Sequence, residues 1–121
     1  MKMAKVAIIV NGTESKNVYP PFILGSAAAA CNDEVLIFFT PGGAPAMVKG
    51  AIEKLNAAAP KLPDLEEMCK GLLALKGRLL VCELCFDVHD FTEKDLMEGT
   101  EVVGATTFIT EAHGADLTFS F

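Results

Sequence analysis

Nowhere in this sequence do about 20 apolar residues run together, the length a helix needs to cross a bilayer. The longest weakly polar segment, residues 20–31, carries Gly25 and Ser26 among alanines and reads as a buried helix. Nor is a secretory leader expected. The apolar run Val6–Val10 is too short for a signal-peptide core, and no cleavage pattern follows it. The expectation is a cytoplasmic protein whose four cysteines are reduced thiols, metal ligands or redox groups. Basic residues are scarce, ten Lys and Arg against sixteen Asp and Glu, for a net charge of −6. That balance argues against a nucleic-acid partner, and the scattered acids form no interaction tail. Repeats, low-complexity segments and dividing linkers are absent, so residues 1–121 read as one domain.

What is present in excess is apolar surface. The hydrophobic share is 51% and the mean hydropathy +0.38, above the balance of an ordinary globular domain. A chain of this size buries about 65% of its unfolded surface. With no membrane span to absorb the surplus, subunit contacts are expected, and hence a homo-oligomer.

Strand-like and helix-like segments alternate along the chain. Val6–Val10, Glu34–Phe39 and Leu79–Val81 are apolar runs rich in branched residues, as in strands covered on both faces. Val102–Val103 and residues 117–121 are weaker strands. The first helix runs to Cys31, with Pro20 and Pro21 expected at its first turn. Met47, Val48, Ala51, Ile52 and Leu55 share one face of a second. Asp64 and Glu67 cap a third that ends at Gly77, and Thr92 and Asp95 a short fourth that stops at Gly99. Residues 106–113 form the last. This order predicts an α/β fold, three layers α/β/α around a mainly parallel five-stranded sheet.

Chemistry concentrates after the third strand. Within nine residues stand Cys82, Cys85, Asp87, His89 and Asp90. Ligands of open parallel sheets bind beyond the carboxyl ends of strands, so Cys82 is the leading candidate nucleophile. An ordinary thiol is only about 3% thiolate at neutral pH. Strand-end N–H groups would raise that share, whereas Glu83 and Asp87 would lower it. The competing reading is a cysteine serving as a small core hydrophobe. Cys82 and Cys85 form a C-x-x-C, but thioredoxin-type pairs open a helix, and the first clear cap here is Thr92. Cys82, Cys85 and His89 supply three zinc ligands where a structural site wants four, which Asp87, His113 or another subunit would have to complete. No tightly held zinc is therefore expected. His89 is a candidate proton carrier. Cys31 and Cys69 read as core residues shielded by helix packing. Residues 41–45 lack the lysine and hydroxyl of a phosphate loop, and no cofactor is indicated.

Three segments together resemble the DsrE/DsrF-like family of small sulfur-relay proteins: residues 34–40 after the alanine-rich helix, Cys82-x-x-x-x-Asp87 with residues 93–99, and residues 101–108 leading into 115–119. The resemblance spans essentially the whole chain. It implies a compact three-layer sheet, a trimer or hexamer, and a cysteine at the Cys82 position that carries sulfur as a persulfide between donor and acceptor proteins. Enzymatic activity stays open between a sulfurtransferase-like carrier and none. In this chain Cys85 replaces the family's serine or other small residue, adding a thiol that could resolve the persulfide, and Pro41-Gly42-Gly43 replaces a bulkier aromatic stretch. Two alternatives remain: a metal- or small-ligand-binding module on Cys82, Cys85 and His89, and a non-catalytic structural subunit.

Overall fold

The computed structural model describes residues 3–121. Five strands, β1 (Lys5–Val10), β2 (Glu34–Phe39), β3 (Arg78–Cys82), β4 (Thr100–Val103) and β5 (Leu117–Ser120), form one sheet in the order β4-β3-β2-β1-β5. Every pairing is parallel. The α/β fold expected from the sequence is the one observed. Five helices connect the strands: α1 (Ser15–Ala30), α2 (Ala51–Ala58), α3 (Leu65–Ala74), the single turn α4 (Cys85–Val88), and α5 (Ala105–Ala112).

The chain steps one way from β1 to β4, then crosses back over the sheet to place β5 beside β1. Right-handed crossovers put connections running in opposite directions on opposite faces. The two faces are unequal. Val6, Ile8, Val10, Val35, Ile37, Phe39, Leu79 and Val81 point into the principal core under α1, α2 and α3. The alternate residues Ala7, Leu36, Phe38, Leu80 and Cys82 form a small second cluster with Phe108 of α5. This is the period-two alternation of a strand applied to a sheet covered on both faces.

Three expected elements differ, each for a local reason. Pro20 and Pro21 lie in the second turn of α1, because the helix already starts at Ser15. Asn17 Oδ1 accepts from the Glu14 N–H at 3.2 Å and fixes that early start. The prolines deprive the Lys16 and Asn17 carbonyls of their helical donors, but burial of Val18, Tyr19, Phe22 and Ala29 outweighs the loss. The helix expected from Met47 begins only at Ala51, after a 3₁₀ turn over Ala44–Met47 and Gly50 at φ +91°. The fourth helix reduces to a 3₁₀ turn, Glu93–Asp95. Its capping contact exists, with the Thr92 N–H donating to Asp95 Oδ2 at 2.8 Å. Beyond it, the Met97 N–H donates to Met47 O at 2.8 Å and Leu96 bridges Val48. Those backbone groups are committed to a neighbouring segment, so helix cannot propagate.

Candidate functional site

Cys82 is the last residue of β3, in register with Val103 of β4. The next residue closes the strand end, with the Glu83 N–H donating to Val103 O at 2.9 Å. Cys82 is 3% exposed and packs in the cluster that holds Leu80, Phe38 and Phe108. The rings of Phe38 and Phe108 stack at 4.3 Å with 12° between planes. The expected strand-end position is therefore found, but the thiol lies beneath α5 and not in an open loop.

Cys85 opens α4 instead, and its residue is wholly buried in the principal core. The C-x-x-C thus divides between the two clusters, and both thiols are free. Burial pushes the Cys85 thiol above its usual range, with the neighbouring Cys82 and Asp87 adding to the rise and a backbone hydrogen bond opposing it. Asp87 is exposed on the same turn. His89 ends α4 half-buried, its ring stacked on Phe91 at 5.4 Å. Its Nε2 lies 2.7 Å from Pro41 O. A carbonyl can only accept, so this contact places the proton on Nε2 and leaves Nδ1 as the exchangeable site in neutral imidazole. His89 in this way ties the loop after β3 to the loop after β2.

The remaining thiols separate sharply. Cys31, expected to be shielded, is exposed, because α1 ends there and its cap residue faces outward. Cys69 is buried as expected, beside a cavity of about 440 Å³ lined by Val48, Ile52, Glu53, Leu73 and Met97. Burial, then the Glu53 carboxylate, pushes its pKa up to about 11. That cavity belongs to the α2/α3 layer, on the sheet face opposite Cys82. His113 does not join the cluster. It follows α5 at the far end of the sheet, where its carbonyl accepts from Lys5 Nζ at 2.8 Å. Among the described residues, no three His, Cys, Asp or Glu side chains converge as metal ligands.

Sequence reasoning gave no hint of one arrangement beside this site. Arg78, at the start of β3, makes a bidentate pair with Glu101 of β4, Nε at 2.9 Å and Nη2 at 2.8 Å. Its Nη1 pairs with Glu111 of α5, whose Oε2 is buried. The hydrogen bond from Arg78 holds the Glu101 carboxyl below its usual range, against the opposing effect of burial. Only the chain's single arginine could have signalled this triad, and nothing in the sequence marks its partners.

The family model for DsrE/DsrF-like proteins matches residues 4–121. The chain belongs to the DsrE/DsrF-like family. Among curated relatives, it is 31% identical over 104 residues to the uncharacterized protein MJ0760 of Methanocaldococcus jannaschii, covering 84% of this chain but 37% of that protein. This chain thus spans little more than a third of that relative's length. It is 24% identical over 155 residues to the sulfur carrier protein DsrE2 of Allochromatium vinosum, covering 97% of this chain and 98% of that one. The crystal structure of the ychN protein from E. coli superposes with a TM-score of 0.76 at 20% identity, over 98% of this chain and 100% of the other. That likeness establishes a shared fold. No helix among the described residues is long and apolar enough to cross a membrane.

Proposed function

We propose that this protein is a cytoplasmic sulfur-relay carrier that holds sulfur as a persulfide on Cys82. The observation that carries the reading is a cysteine closing the third strand of a DsrE-type sheet. Similarity to a sulfur carrier protein supports it. In the transfer step, the Cys82 thiolate attacks the outer sulfur of a donor persulfide. A new S–S bond forms on Cys82, the donor's S–S bond breaks, and the donor leaves as a thiolate. The sulfane sulfur moves without net oxidation, so no external oxidant is required. Passing the sulfur to an acceptor thiolate repeats the exchange with Cys82 as leaving group. His89 Nδ1 takes up and returns the Cys82 proton, and Asp87 on the exposed turn faces the donor and acceptor proteins. Cys85, buried in the other cluster, acts as a packing residue unless α4 unwinds to let it resolve the persulfide.

The test is intact mass after incubation with thiosulfate and a sulfurtransferase, followed by peptide mapping. One added sulfur on Cys82, absent in Cys82→Ser, is the expected result. Equal loading of Cys82→Ser would move the site elsewhere. Loading on no cysteine with any persulfide donor would favour a structural subunit.

A further inference from the structure

A carrier thiol must meet two partners in turn, yet Cys82 is 97% covered, being 3% exposed. The cover on its face of the sheet is thin. Among the described residues, α5 alone contributes helical residues to that cluster, Phe108 fully and Ala112 in part, whereas three helices cover the opposite face. Arg78, Leu80 and Cys82 alternate onto the α5 side of β3. From Arg78 to Cys82 is about 13 Å of strand, and the eight residues of α5 span about 12 Å. Glu111, near the helix C-terminus, pairs with Arg78. Val103, two residues before the helix, pairs with Cys82. The helix therefore runs antiparallel to the strands, packed over β1 and β2 with Phe108 stacked on Phe38, its first turn at the strand-end level of Cys82 and its last turn at the level of Arg78.

Its two ends are held very differently. At the C-terminal end, Arg78 grips the Glu111 carboxylate, and Lys5 Nζ donates to the Glu111 and His113 carbonyls at 2.9 and 2.8 Å. These contacts satisfy groups that a helix end otherwise leaves orphaned. At the N-terminal end, the cap residue is Gly104, which offers no side chain to hold the first N–H groups, and Ala105, Thr106 and Thr107 are exposed.

We infer that α5 is a lid over Cys82, latched through the Arg78–Glu111 pair and opening from its uncapped first turn. Opening exposes the thiol while the principal core stays closed, since the core packs against the other sheet face. Local openings of this kind draw on the least anchored elements of a fold. The relay proposed above gives the opening its purpose, but the opening is measurable whether or not Cys82 carries sulfur.

The cysteines provide the experiment. Wild type, Glu111→Gln and Glu101→Gln are alkylated with iodoacetamide at neutral pH, and each site is timed by peptide mass spectrometry. Both variants remove a carboxylate from the same guanidinium, but only Glu111 is on the helix. Glu111→Gln should label Cys82 about tenfold faster than wild type, a typical cost for breaking a partly buried ion pair. Cys69 and Cys85 should keep their wild-type rates, and Glu101→Gln should leave Cys82 within about twofold of wild type. Unchanged Cys82 labelling in Glu111→Gln would overturn the latch. Equal acceleration in both variants would instead make the triad a general brace of the sheet. Acceleration of Cys69 and Cys85 together with Cys82 would mean global loosening and would overturn the lid as well. Sulfur loading is scored separately, so a failed lid and a failed relay give different results.

Discussion

At the residue scale, four chemically identical thiols acquire three environments. Cys31 faces solvent at a helix end, Cys82 lies under one short helix, and Cys69 and Cys85 are sealed in the principal core. The raised pKa of Cys69, about 11, makes a stability prediction with a definite sign. The folded protein holds this proton more tightly than the unfolded chain, where a thiol titrates near about 8.5. The neutral thiol's contribution is therefore complete below about pH 8.5 and is lost as pH climbs toward 11. Urea unfolding of wild type and Cys69→Ala across pH 7 to 11 would measure it. The wild-type advantage should shrink steadily above about pH 8.5, and a constant gap would show that burial does not raise the Cys69 pKa above its unfolded value. Cys31 was misjudged from sequence because an alanine-rich segment with little amphipathic contrast does not reveal which way its last residue faces. Cys69 was legible, being four residues after Leu65 on an evident apolar face.

At the scale of elements, the loop after β2 shows how closely the backbone is fitted around the strand ends. Gly43 lies against β1, where an added Cβ would stand 2.3 Å from Val10 O. That obstacle is backbone, not a flexible side chain, so it cannot swing aside. The same loop carries Thr40, whose N–H donates to Val10 O at 3.1 Å, and Pro41, whose carbonyl receives His89. Gly43→Ala should cost about 3 kcal/mol, at the upper end of overpacking effects, read from the urea midpoint. It should also free His89, shifting the imidazole NMR resonances. A near-neutral substitution would mean that the loop can retreat without disturbing β1. The sequence shows the double glycine but not its use. Its purpose, close passage over a neighbouring strand, depends on β1 and β2 being adjacent in space.

For the whole molecule, the apolar surplus is only partly absorbed by folding. Leu84 and Val88 stand 54% and 66% exposed on the turn after Cys82, and Ile109 and Leu117 are 57% and 51% exposed on and after α5. Scattered apolar residues are ordinary on a surface, but here they accompany a sheet face covered by a single helix. The expected outcome is a homo-oligomer, a trimer or hexamer, by light scattering at micromolar concentration. Replacing Ile109 and Leu117 together by Ser should lower the assembled mass, and a monomeric wild type would refute the assembly outright.

The order of strands and helices along the chain was decided by the sequence itself, because the buried runs at residues 6–10, 35–39 and 79–81 have no polar residue to turn outward. So was the placement of Cys82 at a strand end, since strand length is set by where the apolar run stops. The tertiary structure alone decided the rest. It cut the expected helix after Thr92 to one turn by drawing Leu96 and Met97 against Val48 and Met47. It sent Cys82 and Cys85 into different clusters, and it carried His113 to the opposite end of the sheet. It also joined Arg78 to Glu101 and Glu111, residues 23 and 33 positions away, over the face that hides Cys82. Local patterns record which residues seek burial, and only the crossover that returns the chain to β5 determines what covers them.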